Sequence, residues 1–155
     1  MEEINYAHFY KNPDIFSDVF LILNETDQDF IPSLTSKFQL DQVVDKYINL
    51  AHIIIAYVNG NPIGLVSFYV NEKPKDSYLS VIAVRGKYRG FQVGKNLEIK
   101  CIEVCKKSKS NGMLVNMRKS NTQLLNSRLT LGYQIVKEYK LDYSEELIVD
   151  LFLEF

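Results

Sequence analysis

The chain has 155 residues, with 18 Lys and Arg against 19 Asp and Glu, and its net charge of −1 offers no general basic field for nucleic acid. Apolar residues make up 46% and charged residues 24%, an ordinary balance for one globular domain over residues 1–155 that buries its own core without disulfides or a structural metal. No apolar run approaches the roughly 20 residues of a membrane span, and Met1-Glu2-Glu3 lacks the basic start of a signal peptide, so a cytoplasmic protein without a membrane partner is expected.

In chain order, Asn12-Pro13-Asp14 places a cap, a helix-starting proline and an acid where a helix begins. Ile15, Val19, Ile22 and Leu23 then share one face to about Asn24. Phe30-Ile31-Pro32-Ser33-Leu34 reads as an ordered loop, after which Asp41 can cap a second helix carrying Val44, Tyr47, Ile48 and Ala51. Two helices are thus expected before the main strands. Ile53 to Val58 and Ile63 to Val70 flank Asn59-Gly60, a hairpin signal, and the turn Asn71 to Asp76 leads into a third strand, Ser77 to Val84.

The apolar period then lengthens. Val93, Leu97, Cys101 and Val104 predict a helix, with Asn111-Gly112 as its stop. Lys95, Lys100, Lys106, Lys107 and Lys109 alternate with Glu98 and Glu103 as a solvated face, and Cys101 and Cys105, far from His8 and His52, read as buried small hydrophobes rather than metal ligands or a disulfide. A strand at Leu114 to Met117 follows. Ser120 or Asn121 caps a helix with Leu124, Leu125 and Leu129 that ends at Gly132, and Gln134 to Leu141 and Leu147 to Phe155 predict two last strands. Leu147, Val149, Leu151, Leu153 and Phe155 share a face of the last, which is also a candidate edge for a homodimer. Antiparallel strands followed by a strand-helix-strand crossover make a mixed α+β sheet.

The chemistry concentrates in Val84-Arg85-Gly86-Lys87-Tyr88-Arg89-Gly90-Phe91-Gln92-Val93-Gly94, between a strand end and a helix start. Glycines there allow close backbone approach, and the helix N-terminus presents unpaired N–H groups to an anion. Arg85, Lys87, Arg89 and Lys95 add positive charge. The absence of Gly-x-Gly-x-x-Gly and the preceding antiparallel strands argue against a dinucleotide fold.

This segment resembles the GNAT superfamily of acyl-CoA-dependent N-acetyltransferases, whose pattern Arg/Gln-x-x-Gly-x-Gly/Ala reads here Arg89-Gly90-Phe91-Gln92-Val93-Gly94, with Gln92 in place of the first glycine. The likeness runs from about Ile53 to Tyr139 and includes a second feature, Asn121 with Gly132-Tyr133. It implies a mostly antiparallel, twisted sheet of about six to seven strands flanked by helices and splayed at the cofactor. It implies acetyl-CoA as co-substrate, held by Arg89, Gly90, Phe91, Gln92, Val93, Gly94, Lys95 and Asn121, with Ile82, Ala83 and Val84 along the pantetheine arm. Arg128 stands where the family often has a tyrosine acid. An arginine keeps its proton, so it can stabilise a thiolate or bind a phosphate or an anionic acceptor, or simply pack its stem on the helix.

Direct transfer needs a neutral amine and a proton route rather than a covalent nucleophile. Ser80 or Tyr78, through water, can supply that route, with Asp29 and Glu72 as further acids. Phe30, Tyr69 and Asn71 fall where a GNAT subgroup carries Phe-x-Pro-x-Leu and Ser-x-Tyr-x-Asn, so they are candidate acceptor contacts. The expected acceptor is a small-molecule amine such as an amino sugar, amino acid or polyamine. A GNAT-fold module that binds acyl-CoA or a protein without turnover, or an enzyme acting on a protein amine, are the rival readings.

Overall fold

The computed structural model describes residues 2–30, 32–142 and 144–155. Met1, of the acidic start, and Ile31, of the expected Phe30 to Leu34 loop, lie outside the described residues, as does Tyr143. The element order is β1 (Asn5–Tyr10), α1 (Phe16–Thr26), α2 (Leu40–Leu50), β2 (His52–Val58), β3 (Asn61–Val70), β4 (Ser77–Val84), α3 (Val93–Lys107), β5 (Gly112–Arg118), α4 (Thr122–Leu131), β6 (Gln134–Lys140) and β7 (Leu147–Glu154). The strands form a seven-stranded mixed sheet in the order β1-β2-β3-β4-β5-β7-β6. The chain divides into two compact units, one made of the residues through Tyr69 with Ser80–Val104, the other of Val70–Leu79 with Cys105–Phe155. No helix of the described residues is long and apolar enough to cross a membrane.

In the first unit, Asn12 Oδ1 accepts from Asp14 N–H at 2.9 Å and opens a short 3-10 turn, Pro13–Ile15, that runs into α1. Val19, Ile22 and Leu23 are fully buried and join Val44, Tyr47, Ile48, Ile53, Ile55, Leu65, Val81 and Ala83 in one core. Each such aliphatic side chain contributes about 1.5–3 kcal/mol of transfer free energy. The start of α2 differs from expectation: Gln39 is the cap residue, and its N–H donates to Gln42 Oε1 at 3.0 Å. Asp41 lies inside the first turn and accepts from Gln42 N–H. Asn59 and Gly60 both have positive φ, 51° and 77°, and join β2 to β3 as a two-residue turn.

The two helices precede the main strands, and a further strand, β1, comes before them. β1 pairs antiparallel with β2, Ala7 opposite Ile55 and Phe9 opposite Ile53. On the other face His8 Nε2 lies 3.0 Å from His52 Nδ1, with Tyr10, His52 and Phe68 stacked in series.

In the second unit β4 meets β5 in parallel at Ser77–Met113 and Tyr78–Leu114, and β5 pairs antiparallel with β7. β7 is flanked on both sides, by β5 and β6, so it is no edge for a partner; the edges fall to β1 and β6. Val149 and Leu151 are buried as the period-two pattern predicts, but Leu147 at the strand start is exposed. Asn111-Gly112 does not stop α3. Lys109 does, at φ 62°, with Ser110 N–H donating to Cys105 O at 3.2 Å. Gly112 is instead inside β5, where a Cβ would fall 2.3 Å from Phe152 Cζ and 2.5 Å from Leu153 O. Both cysteines of α3 are fully buried.

Candidate active site

The end of β4 and the start of α3 enclose the most distinctive backbone of the first unit. Arg85 N–H continues the strand by donating to Ile63 O at 2.9 Å, then a single 3-10 turn, Gly86–Tyr88, reverses the chain. Gly90 at φ 86° and Gln92 at φ 60° both take left-handed conformations before α3 begins. The first helical bond runs from Asn96 N–H to Gln92 O at 3.0 Å. The N–H groups of Val93, Gly94 and Lys95 therefore precede any intrahelical acceptor and, with the helix dipole, have the polarity that suits an anion.

Two glycines set the depth of this site. A Cβ on Gly94 would lie 3.6 Å from Val84 Cγ2 and 3.7 Å from Ile82 Cγ2, so the first turn sits close above the end of β4 yet leaves room for a methyl group. A Cβ on Gly64 of β3 would approach Ala83 O at 3.0 Å, Val93 Cγ1 at 3.3 Å and Leu97 Cδ1 at 3.4 Å. Gly64 lets α3 settle on the sheet, and Val93 and Leu97 are buried beneath it. Sequence reasoning passed over Gly64, although a glycine inside a β-branched strand is itself a signal of close approach.

The basic side chains do not all point at an anion. Arg85 Nε donates to Glu25 at 3.0 Å and its Nη1 to Pro62 O at 3.1 Å, bracing β4 against α1 and β3. Arg89 donates through Nε to Val84 O at 3.0 Å and pairs with Asp29 through Nη2. Lys87 lies 5.1 Å from the Tyr88 ring centroid, while Lys95 and Phe91 are exposed. The attraction for an anion thus rests on the backbone and the lysines more than on Arg85.

In the second unit Asn121 Oδ1 accepts from Leu124 N–H at 3.3 Å and caps α4, while Gly132 at φ 111° ends it, its N–H and that of Tyr133 turning back to the last helical carbonyls. Ser120 is not the cap; its hydroxyl donates to Glu146. Arg128 is only 4% exposed, so the alternative of a surface arginine with a packed stem is removed.

The sequence profile of the acetyltransferase (GNAT) family matches residues 19–126, more than half of the chain. The chain belongs to the GNAT acetyltransferase family. No curated protein sequence matches it significantly. Among solved structures, a Bacillus anthracis str. Ames protein assigned as a streptothricin acetyltransferase, in complex with acetyl coenzyme A, is 26% identical with a TM-score of 0.61, over 72% of this chain and 67% of that one. The ribosomal-protein-S18-alanine N-acetyltransferase of Escherichia coli is 13% identical with a TM-score of 0.78, over 98% and 94%. The ribosomal-protein-alanine N-acetyltransferase of Brucella melitensis is 14% identical with a TM-score of 0.79, over 97% and 99%. The last two establish the fold alone.

For a GNAT enzyme the remaining residues of interest divide between the units. Ser80, Ile82, Ala83, Val84 and Arg89 to Lys95 share the first with Phe30 and Tyr69, both packed against its core. Tyr78, Asn71, Asn121 and Arg128 belong to the second. Ser80 Oγ–H donates to Tyr47 Oη at 3.4 Å, a long contact that adds Tyr47 of α2 to the polar groups around β4. Tyr78 Oη instead accepts from Asn116 Nδ2 at 3.2 Å. Asn71 N–H donates to Asp76 O at 3.1 Å and closes the β3–β4 turn. Asp27, unremarked in the sequence, is buried and receives Thr35 N–H at 3.1 Å and the Thr35 hydroxyl at 2.5 Å, tying down the chain after α1.

Proposed function

We propose that this GNAT acetyltransferase moves an acetyl group from acetyl-CoA to the amine of a small molecule by direct transfer. The observation that carries the reading is the cradle of Gly90 to Lys95. Two left-handed residues deliver the chain into a 15-residue helix whose first N–H groups have no helical acceptor. Such a terminus suits a pyrophosphate, and the acetyl-CoA complex of the 26%-identical Bacillus anthracis protein supports the same donor here.

In this reading the N–H groups of Gly90 to Lys95 hold the pyrophosphate, and Lys95 adds charge. The backbone of Ile82 to Val84 aligns the pantetheine arm, and an N–H there polarises the thioester carbonyl. Ser80, with Tyr47 beside it, or Tyr78 relays the proton from the amine through water. The resemblance gives Arg128 the part of lowering the cost of the departing thiolate electrostatically rather than protonating it. Asn121 caps α4 and so positions the helix that carries Arg128.

Acetyl-CoA at about 100 times its Kd should raise stability by about 2.7 kcal/mol. Thiol release with a panel of amines then tests turnover, and Arg128→Ala should lower kcat while leaving acetyl-CoA binding in place. Full turnover by that variant would remove the role given to Arg128.

A further inference from the structure

The sequence contains two histidines, His8 and His52, and the first unit brings them together although they lie 44 residues apart. Tyr10, His52 and Phe68 are consecutive cross-strand partners on β1, β2 and β3, and His8 stands opposite Ile54, two residues along. Residues two apart on a strand share a face, so both imidazoles project from the same side of the β1–β2 pair. Their ring stacking fixes them further. Tyr10 lies on His52 at 4.2 Å and 9°, and His52 on Phe68 at 5.3 Å and 20°, while His8 is 6.0 Å from Phe68. Phe68 is fully buried and anchors the row, and His8 and Tyr10 are exposed at its outer end, where ions and water reach His8.

His8 Nε2 and His52 Nδ1 face each other at 3.0 Å, one ring donating an N–H to the other. If that proton moves through water to the outer nitrogen of its own ring, two lone pairs face one gap. Such a pair suits a metal ion, for which neutral imidazole is the commonest side-chain ligand. With metal–nitrogen bonds of about 2.0–2.1 Å, two nitrogens bound at a right angle lie roughly 2.9 Å apart, and at the tetrahedral angle roughly 3.4 Å apart. The observed 3.0 Å is nearer the right angle. This is the cis edge of a tetragonal site, which favours copper(II) or nickel(II) over zinc, and a tilt of the exposed His8 ring turns both lone pairs onto the ion. Among the described residues no group of three His, Cys, Asp or Glu side chains comes together, so water fills the other positions.

We propose that His8 and His52 form a two-imidazole site for a divalent copper- or nickel-type ion. The bound ion cross-links β1, an edge strand of the sheet, to β2. It uses residues to which the acetyltransferase reading gives no part, and it stands or falls independently of that reading.

The test is calorimetric titration of the untagged full chain, above the ordinary imidazole pKa, with nickel(II), copper(II) and, as a hard-cation comparator, magnesium. Because these are the only two histidines in the sequence, imidazole ligation can come from nowhere else. Wild type should bind one equivalent of nickel(II) saturably and copper(II) more tightly, and should ignore magnesium. His8→Gln, an exposed change, and His52→Gln should each weaken nickel(II) at least about tenfold. Electron paramagnetic resonance of the copper(II) form should show coupling to two nitrogens in wild type and to one in His8→Gln. The wild-type spectrum depends on no variant folding. Nickel(II) should also slow amide hydrogen exchange in β1, which an ion held elsewhere would leave unchanged. No saturable nickel(II) or copper(II) binding, or a wild-type spectrum with fewer than two nitrogens, would overturn the proposal. So would an affinity unchanged in both variants, which would place the ion on carboxylates or thiols elsewhere in the chain.

Discussion

Replacing Gln92 with glycine should make the protein more stable, although it deletes a side chain. Gln92 holds φ 60° at the mouth of α3, a left-handed conformation that costs an L-residue about 1–2 kcal/mol. Glycine removes that cost but gives back about 0.4–1 kcal/mol through the greater freedom of the unfolded chain. The net gain is about 0–1.6 kcal/mol. At about 2–4 °C per kcal/mol for a chain of this size, Gln92→Gly should melt up to about 6 °C higher in a calorimetric scan. Gln92 is exposed, so packing does not confound the comparison. Gln92→Val is the control: a β-branched residue is poorly tolerated at this φ and should melt below wild type. A valine variant as stable as wild type, or a glycine variant clearly less stable, would refute the left-handed backbone at 92.

Three further outcomes follow from the structure. Gly94→Ala should fold and bind acetyl-CoA as wild type does, since its methyl group meets only ordinary contacts at 3.6 and 3.7 Å, whereas Gly94→Phe should weaken binding at least about tenfold by calorimetry. Gly112→Ala should destabilise more than Gly64→Ala in urea melts, because its Cβ would meet Leu153 O at 2.5 Å whereas that of Gly64 meets Ala83 O at 3.0 Å; overpacking of this kind costs about 1–3 kcal/mol or more. His8 and His52 both titrate below their ordinary value, His8 through burial and His52 through burial and then the charge of His8. The unfolded chain therefore binds more protons than the folded one below about pH 6.5, so stability should fall as pH drops from about 6.5 toward 5. His8→Gln should flatten that fall, and an unchanged slope would contradict the paired geometry.

Features set by local chemistry were legible in the sequence. Asn12-Pro13, Asn59-Gly60, Asn121 and Gly132 each act on backbone within a few residues of themselves, and the buried faces of α1 and α2 follow from spacing alone. β1 was not legible, because Asn5 to Tyr10 alternates polar aromatics with only Ala7 and Phe9, and its pairing partner lies 42 or more residues away. The stop of α3 was misplaced because a lysine, not a glycine, takes the left-handed position. The cradle segment could be read from its glycines and charge. That Arg85 and Arg89 each answer an acid 60 residues earlier, Glu25 and Asp29, depends on tertiary packing that no spacing announces. Arg128 could be singled out by position, but its burial could not.

The central claim is that the Gly90 to Lys95 cradle holds acetyl-CoA. The direct measurement is the melting temperature of wild type against rising acetyl-CoA, with Gly94→Phe alongside. At about 100 times the Kd the account predicts a rise of about 5–11 °C for wild type that Gly94→Phe largely loses. No shift for wild type at millimolar acetyl-CoA, or an equal shift in both proteins, would contradict it.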